Sequence, residues 1–309
     1  MASTEKKLLF CTSTYAYLEP AFMAAGDFER GDVVRKTFPD GERYLRLDAE
    51  SWGRDVVLLG GTPHDLDWLE VYDLGCAISR AGARSLSIVM PYFGYSTMER
   101  ASQPGEVVTA KTRARLISAV PPCEAGTRVF LFDLHTDGIP FYFGDEHVTH
   151  HISGSPLTGA MIRRAGGDDF VLGATDAGRA KWVQSLAGTL GVEPAFVYKR
   201  RETGSGKLSV TGINADVRGR TVVIYDDMIR TGSSLLQAGR AYLGAGAAAV
   251  HAVASHLVLP GDSLQKLRGA GVFQSISGTD SHPESRQLSG VAGAVSGVAG
   301  LMVRALERS

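Results

Sequence analysis

The stretch TVVIYDDMIRTGSSL, residues 221–235, constrains this chain more than any other. Thr221-Val222-Val223-Ile224-Tyr225 is a β-branched, apolar run of the kind that forms a buried strand. It ends on two adjacent carboxylates, Asp226 and Asp227, then passes through Arg230-Thr231-Gly232-Ser233-Ser234 into a helical pattern from Leu235. A loop that leaves a strand and enters a helix offers an anion free backbone N–H groups and the positive helix end. Gly232 permits close backbone approach, and Thr231, Ser233 and Ser234 add hydroxyl donors. The paired carboxylates suit vicinal sugar hydroxyls or a hydrated Mg²⁺. A capped surface turn would account for the loop but not for two carboxylates at a strand end. The stretch reads as a cradle for a sugar phosphate.

The 309 residues leave room for two domains of ordinary size, and 44% apolar with 21% charged residues indicates a globular chain. A formal net charge of −1 argues against a nucleic-acid-binding surface, so no nucleic-acid partner is expected. Residues 8–11 are too short an apolar run for a signal peptide, and no run reaches membrane length. A cytoplasmic protein with no membrane partner is expected. Cys11, Cys76 and Cys123 match no metal or redox spacing and read as reduced, structural thiols.

Strand-like runs at 7–12, 33–38, 56–59, 86–90 and 129–133 alternate with helical patterns at 15–25, 65–81 and 109–119. Residues 38–47 extend the second run through a Pro39-Asp40-Gly41 turn. Residues 141–155 read as a crossing between two halves, after which the alternation resumes. Helices at 157–165, 180–190 and 235–243 are interleaved with strands at 170–172, 195–198, 221–225, 248–254 and 273–277. This order predicts an α/β fold with mainly parallel sheets flanked by helices. The strand at 195–198 ends in Lys199-Arg200-Arg201, where an alternating pair of cations can point the same way. Lys207, in Gly204-Ser205-Gly206-Lys207, lacks the spacing of a P-loop and belongs to a flap. Gly244-Ala245-Gly246 follows a helix rather than a strand, so it is a helix stop and not a dinucleotide fingerprint. Glu146, His147, His150 and His151 supply four potential transition-metal ligands within six residues.

Six fragments, in order, resemble the ribose-phosphate pyrophosphokinase (phosphoribosyl-pyrophosphate synthetase) family: FPDGE, PYFGY…AK, FDLH, TDAG, KRR and DDMIRTGSSL. The resemblance covers nearly the whole chain. It implies two type I phosphoribosyltransferase-like domains: residues 1–150 on the nucleotide side and 151–290 with the ribose-phosphate loop. A last helix in 291–309 is expected to pack on the first domain. It further implies transfer of a pyrophosphoryl group from Mg·ATP to ribose 5-phosphate, in homo-oligomers, commonly hexamers, with sites shared across subunits. Lys199 and Arg201 would then stabilise the transferring group and leaving AMP. Asp226, Asp227, Arg230, Thr231, Gly232, Ser233 and Ser234 would hold ribose 5-phosphate. Phe38, Asp40 and Glu42 would lie near adenine, with the segment Thr97, Met98, Glu99 and Arg100 also on the nucleotide. His135 and Asp176 would bind Mg²⁺, with Asp133 orienting the imidazole.

The sequence departs from the family where its nucleotide loop usually carries an Arg-Gln pair, here Thr97 and Met98. Neither can replace a bidentate guanidinium contact to phosphate. Residues 100–106 are also shorter than the family's basic loop, and Arg179 and Arg230 replace a usual Gly and Asp. Two other readings share these residues. One is a non-catalytic regulatory homologue that assembles with an active synthetase. The other is a phosphoribosyltransferase, against which FPDGE and KRR speak.

Overall fold

The computed structural model describes residues 6–175, 180–201, 208–288 and 293–309, excluding the side chains of 180, 181, 199–201 and 208–211. Two compact units divide the chain: Met1–Ser153 with Gly297–Ser309, and Gly154–Ser296.

In the first unit β1 (Lys7–Cys11) leads through a 3-10 segment, Ser13–Leu18, and helix α1 (Glu19–Ala25) to β2 (Phe28–Arg30). The expected helix at 15–25 is thus split, with Pro20 in the first turn of α1, where its missing N–H costs nothing. A hairpin of β3 (Val33–Thr37) and β4 (Arg43–Leu47) follows. Then come β5 (Asp55–Leu59), α2 (Asp65–Arg80), β6 (Ser85–Met90), α3 (Thr109–Ser118), β7 (Thr127–Phe132) and β8 (His147–Ile152). Six strands form a parallel sheet in the order β2-β1-β5-β6-β7-β8, with the hairpin a separate antiparallel pair. Leu8, Phe10, Val56, Leu58, Ile88 and Leu131 pack on one face with Trp68, Val71 and Leu74 of α2. The alternate positions Leu9, Val57, Leu59, Val89, Phe130 and Phe132 are buried too. A parallel sheet covered on both faces needs such unbroken apolar strands.

Residues 141–155 are not a simple crossing. They contain β8, the edge strand, in register from Thr127↔His147 to Phe132↔Ile152. Its sequence, HVTHHI, hides the strand because an edge position tolerates polar residues that a central strand would not.

The second unit runs α4 (Ser155–Gly166), β9 (Phe170–Gly173), α5 (Ala180–Leu190), β10 (Glu193–Ala195), β11 (Val197–Arg201) and β12 (Leu208–Ile213). It continues with β13 (Thr221–Ile229), α6 (Ser233–Gly244), β14 (Ala249–Leu257), α7 (Ser263–Gly269), β15 (Ser275–Thr279) and β16 (Val295–Ser296). Its parallel sheet has the order β10-β9-β13-β14-β15-β16, and β11–β12 is again a separate hairpin. Val222, Ile224 and Ala252 face α6 and α7 through Leu235, Tyr242 and Leu267. Val223, Tyr225 and Val253 face α4 and α5 through Ile162, Val183 and Leu186. Both units share one topology: the second strand sits outside the first, and a hairpin intervenes before the third. The last helix, α8 (Ala299–Glu307), packs on α1 and β7 of the first unit, where Lys7 Nζ donates to the Leu306 carbonyl at 3.3 Å. Among the described residues no helix is long and apolar enough to cross a membrane.

Candidate active site

In the second unit the strand carrying the carboxylates runs on to Ile229, so Asp226 and Asp227 lie within β13. Pairing with β14 extends that far, from Asp226↔Ala254 to Ile229↔Leu257, and keeps the strand ordered past its apolar run. Asp226 is half-buried; Thr175, at the end of the neighbouring β9, donates its hydroxyl to Asp226 Oδ2 at 3.3 Å. Asp227 is buried, and its N–H donates to Asp226 Oδ1 at 3.0 Å. Gly232 has φ +75° and a Cβ there would lie 2.5 Å from Leu267 Cδ2, so both conformation and packing call for glycine. Helix α6 begins at Ser233, two residues earlier than the sequence pattern suggests. The first-turn N–H groups of a helix lack intrahelical acceptors. Here that end is flanked by exposed Arg230, Thr231, Ser233 and Ser234. Thr231 Oγ1 and Ser233 Oγ are 3.2 Å apart. The arrangement can receive a phosphate beside a carboxylate.

Tyr242 of α6 fixes the strand ends behind this cradle. Its fully buried hydroxyl lies 3.1 Å from the Ala174 carbonyl and 3.0 Å from that of Ala195. Burial drives the phenol's pKa upward, so the group stays a neutral donor. The basic residues sit differently from the sequence reading. Phe196 donates its N–H to Asn214 Oδ1 at 2.6 Å, and the chain there leaves β10 for the hairpin. Lys199 and Arg201 therefore lie within β11, backbone-paired with Val210 and Leu208, rather than beyond a strand of the main sheet. Asp176 and Lys207 fall outside the described residues.

In the first unit the loop equivalent to the cradle follows β5, and it is closed. A Cβ on Gly60 would meet Thr12 Cγ2 at 2.5 Å, and one on Gly61 would meet the Tyr15 ring at 2.3 Å. The Gly94 N–H donates to Thr62 Oγ1 at 3.1 Å, joining that loop to the one after β6. Thr97 and Met98 are exposed on this second loop, past Tyr95 at φ +61°. Arg113 of α3 lies over the Tyr95 ring, 5.3 Å from its centroid, with Nη2 donating to Asp65 Oδ1 at 2.7 Å. Tyr95 Oη donates to the same oxygen at 2.7 Å. Arg113 Nε is buried with no acceptor among the described residues. A guanidinium from α3 thus stands beside the loop that carries Thr97 and Met98. Glu99 pairs with Arg100 at 3.6 Å and accepts a hydrogen bond from Tyr142 through its carbonyl.

Phe38, Asp40 and Glu42 are exposed at the tip of β3–β4, in a turn closed by Phe38 N–H to the Glu42 carbonyl at 2.8 Å. Glu70 of α2, 1% exposed, holds the stem. It accepts from Arg35 Nε of β3 at 2.9 Å and from Arg43 Nη2 of β4 at 2.7 Å. It also accepts from the Ser13 N–H at 2.9 Å and Oγ at 2.6 Å. Burial pushes its pKa up, but the bonds from Ser13, Arg43 and Arg35 outweigh this and hold the carboxyl below its ordinary range. His135 follows Asp133, which is buried and adopts φ +44° at the end of β7. His147, His150 and His151 do not gather: His150 stacks on Phe130 with centroids 4.6 Å apart, while His151 accepts from the Leu134 N–H. No three potential ligands converge among the described residues.

Comparison with known proteins decides the family. A model described as the N-terminal domain of ribose phosphate pyrophosphokinase matches residues 8–120, and a phosphoribosyl transferase domain matches 160–269. A ribose-phosphate pyrophosphokinase of Rhodopirellula baltica is 33% identical over 87% of this chain and 81% of its own length. One from Gloeobacter violaceus is 32% identical over 82% and 75%, respectively. The chain belongs to the ribose-phosphate pyrophosphokinase family. The crystal structure of a phosphoribosylpyrophosphate synthetase from Mycobacterium smegmatis superposes with a TM-score of 0.85 at 25% identity, covering 98% of both chains. The two domains have the type I phosphoribosyltransferase-like architecture expected from the sequence.

Sequence reasoning missed Glu70, Arg35, Arg113, Thr175 and Tyr242. Glu70 alone left a trace: it sits on the helix stripe of Trp68, Val71, Leu74 and Ile78, where a carboxylate is out of place without partners.

Proposed function

We propose that this chain transfers the terminal pyrophosphoryl group of Mg·ATP to the anomeric hydroxyl of ribose 5-phosphate, releasing AMP. The observation that carries this reading is the open cradle from Asp226 to Ser234, in a chain that matches pyrophosphokinases through both halves. The anomeric oxygen attacks the β-phosphorus as its bond to the oxygen shared with the α-phosphorus breaks; AMP leaves with that electron pair, and solvent takes the hydroxyl proton. Asp226 and Asp227 would orient the sugar hydroxyls, while the α6 end with Thr231, Ser233 and Ser234 would hold the 5-phosphate. Lys199 and Arg201 would neutralise charge that develops on the transferring group.

His135 and Asp176 would hold Mg²⁺. A hard cation that keeps water and phosphate oxygens for most of its positions fits so sparse a donor set. When bound, the ion shields the phosphate charges. At the nucleotide, Phe38, Asp40 and Glu42 would meet adenine, and Arg113, rather than Thr97 or Met98, would supply the guanidinium. We also read the protein as a cytoplasmic homo-oligomer. The test is AMP release assayed across a panel of nucleoside triphosphates. Release that requires both ribose 5-phosphate and Mg²⁺, and is lost in Lys199→Ala, supports the reading. Ribose 5-phosphate binding with no AMP from any nucleotide refutes it and favours the regulatory homologue.

A further inference from the structure

We propose that His151 is a positioning residue: its imidazole fixes the turn that presents His135. The inference rests on the reading of His135 as an active-site residue. Asp133 adopts φ +44°, in the left-handed region that residues with a Cβ seldom occupy, so its surroundings must hold it. Two consecutive amides of the turn are held by the end of β8. The Asp133 N–H donates to the Ile152 carbonyl at 2.8 Å. The Leu134 N–H donates to Nε2 of His151 at 3.0 Å. The next residue is His135.

The bond also settles the state of the ring. A backbone amide only donates, so Nε2 of His151 presents its lone pair and the proton resides on Nδ1. Nδ1 lies 3.3 Å from Asp137 Oδ1, within the same turn. Asp137 is 95% exposed, so this second contact adds little, and the amide bond carries the effect. With both nitrogens engaged, His151 is not a free metal ligand. His150, the preceding residue on an alternating strand, points to the opposite face and stacks on Phe130. The histidine-rich strand is therefore a support for the turn rather than a metal site.

Three variants and one spectrum test this. Long-range ¹H–¹⁵N spectra of the wild-type protein should show His151 as the Nδ1–H tautomer. His151→Leu keeps bulk but removes the acceptor; it should lower kcat or raise the KM for Mg·nucleotide about 10- to 100-fold, with the KM for ribose 5-phosphate unchanged. His151→Gln places an amide oxygen near the position of Nε2 and should recover most of the loss. An Nε2–H tautomer in the wild-type spectrum overturns the proposal. So does a His151→Leu enzyme with wild-type kinetics alongside an impaired His135→Ala. If His135→Ala itself has wild-type kinetics, the role assigned to His135 falls, and the proposal with it, whatever the tautomer. Should His151→Leu fail to fold, the wild-type tautomer and the kinetics of His151→Gln still decide: loss in the Gln variant counts against the proposal.

Discussion

Glu70 and Gly232 show how single residues set the β3–β4 hairpin and the loop before α6. Glu70 ties both stem strands of the β3–β4 hairpin to α2 through Arg35 and Arg43. Because its folded pKa lies below the ordinary value of 4.5, its contribution is present above that pH and fades as pH falls through the folded pKa. Glu70→Gln should therefore cost about 2 kcal/mol in urea unfolding at pH 7. The gap from wild type should narrow steadily below pH 4.5. An unchanged gap at pH 3 would remove the electrostatic explanation. Gly232→Ala must adopt φ +75° against Leu267. A loss of about 1.4 kcal/mol in sugar-phosphate binding corresponds to a tenfold higher KM for ribose 5-phosphate, and steady-state kinetics would detect it. Burial raises the Cys11 thiol to about 12, consistent with an inert, structural cysteine.

At the scale of elements, the strand-loop-helix unit around Asp226 was legible because its parts are local: a β-branched run, adjacent carboxylates, a glycine and hydroxyls. Its limits were not. β13 runs four residues beyond Tyr225 because β14 pairs with it there, a contact distant in sequence. The histidine-rich β8 was hidden for the same kind of reason, since only pairing with β7 makes it a strand. The side chain behind the cradle was equally invisible. Tyr242 reads as one more apolar helix position, yet its hydroxyl meets the carbonyls that end β9 and β10. Tyr242→Phe should lose about 1–2 kcal/mol of stability in chemical denaturation, because a buried carbonyl loses its donor. A neutral substitution would show that strand pairing alone fixes those ends.

On the scale of the whole molecule, the chain uses one topology twice and opens it once. The order of strands and the hairpin before the third are the same in both units, although no sequence repeat announces it. In the second unit the third strand delivers Asp226 and an open helix end; in the first, Tyr15 and Thr12 fill the corresponding loop. The family resemblance supplied the reaction that such an asymmetric pair would perform. Arg113, which stands over Tyr95 beside the loop of Thr97 and Met98, comes from α3 and could not be paired with that loop by spacing. The central claim is pyrophosphoryl transfer, and a ³¹P NMR time course with ATP, Mg²⁺ and ribose 5-phosphate tests it most directly. The account predicts that the β and γ resonances of ATP are replaced by two coupled resonances of a sugar pyrophosphate, with AMP growing in equal amount. Appearance of ADP with inorganic phosphate, or an unchanged ATP spectrum in the presence of bound ribose 5-phosphate, would contradict it.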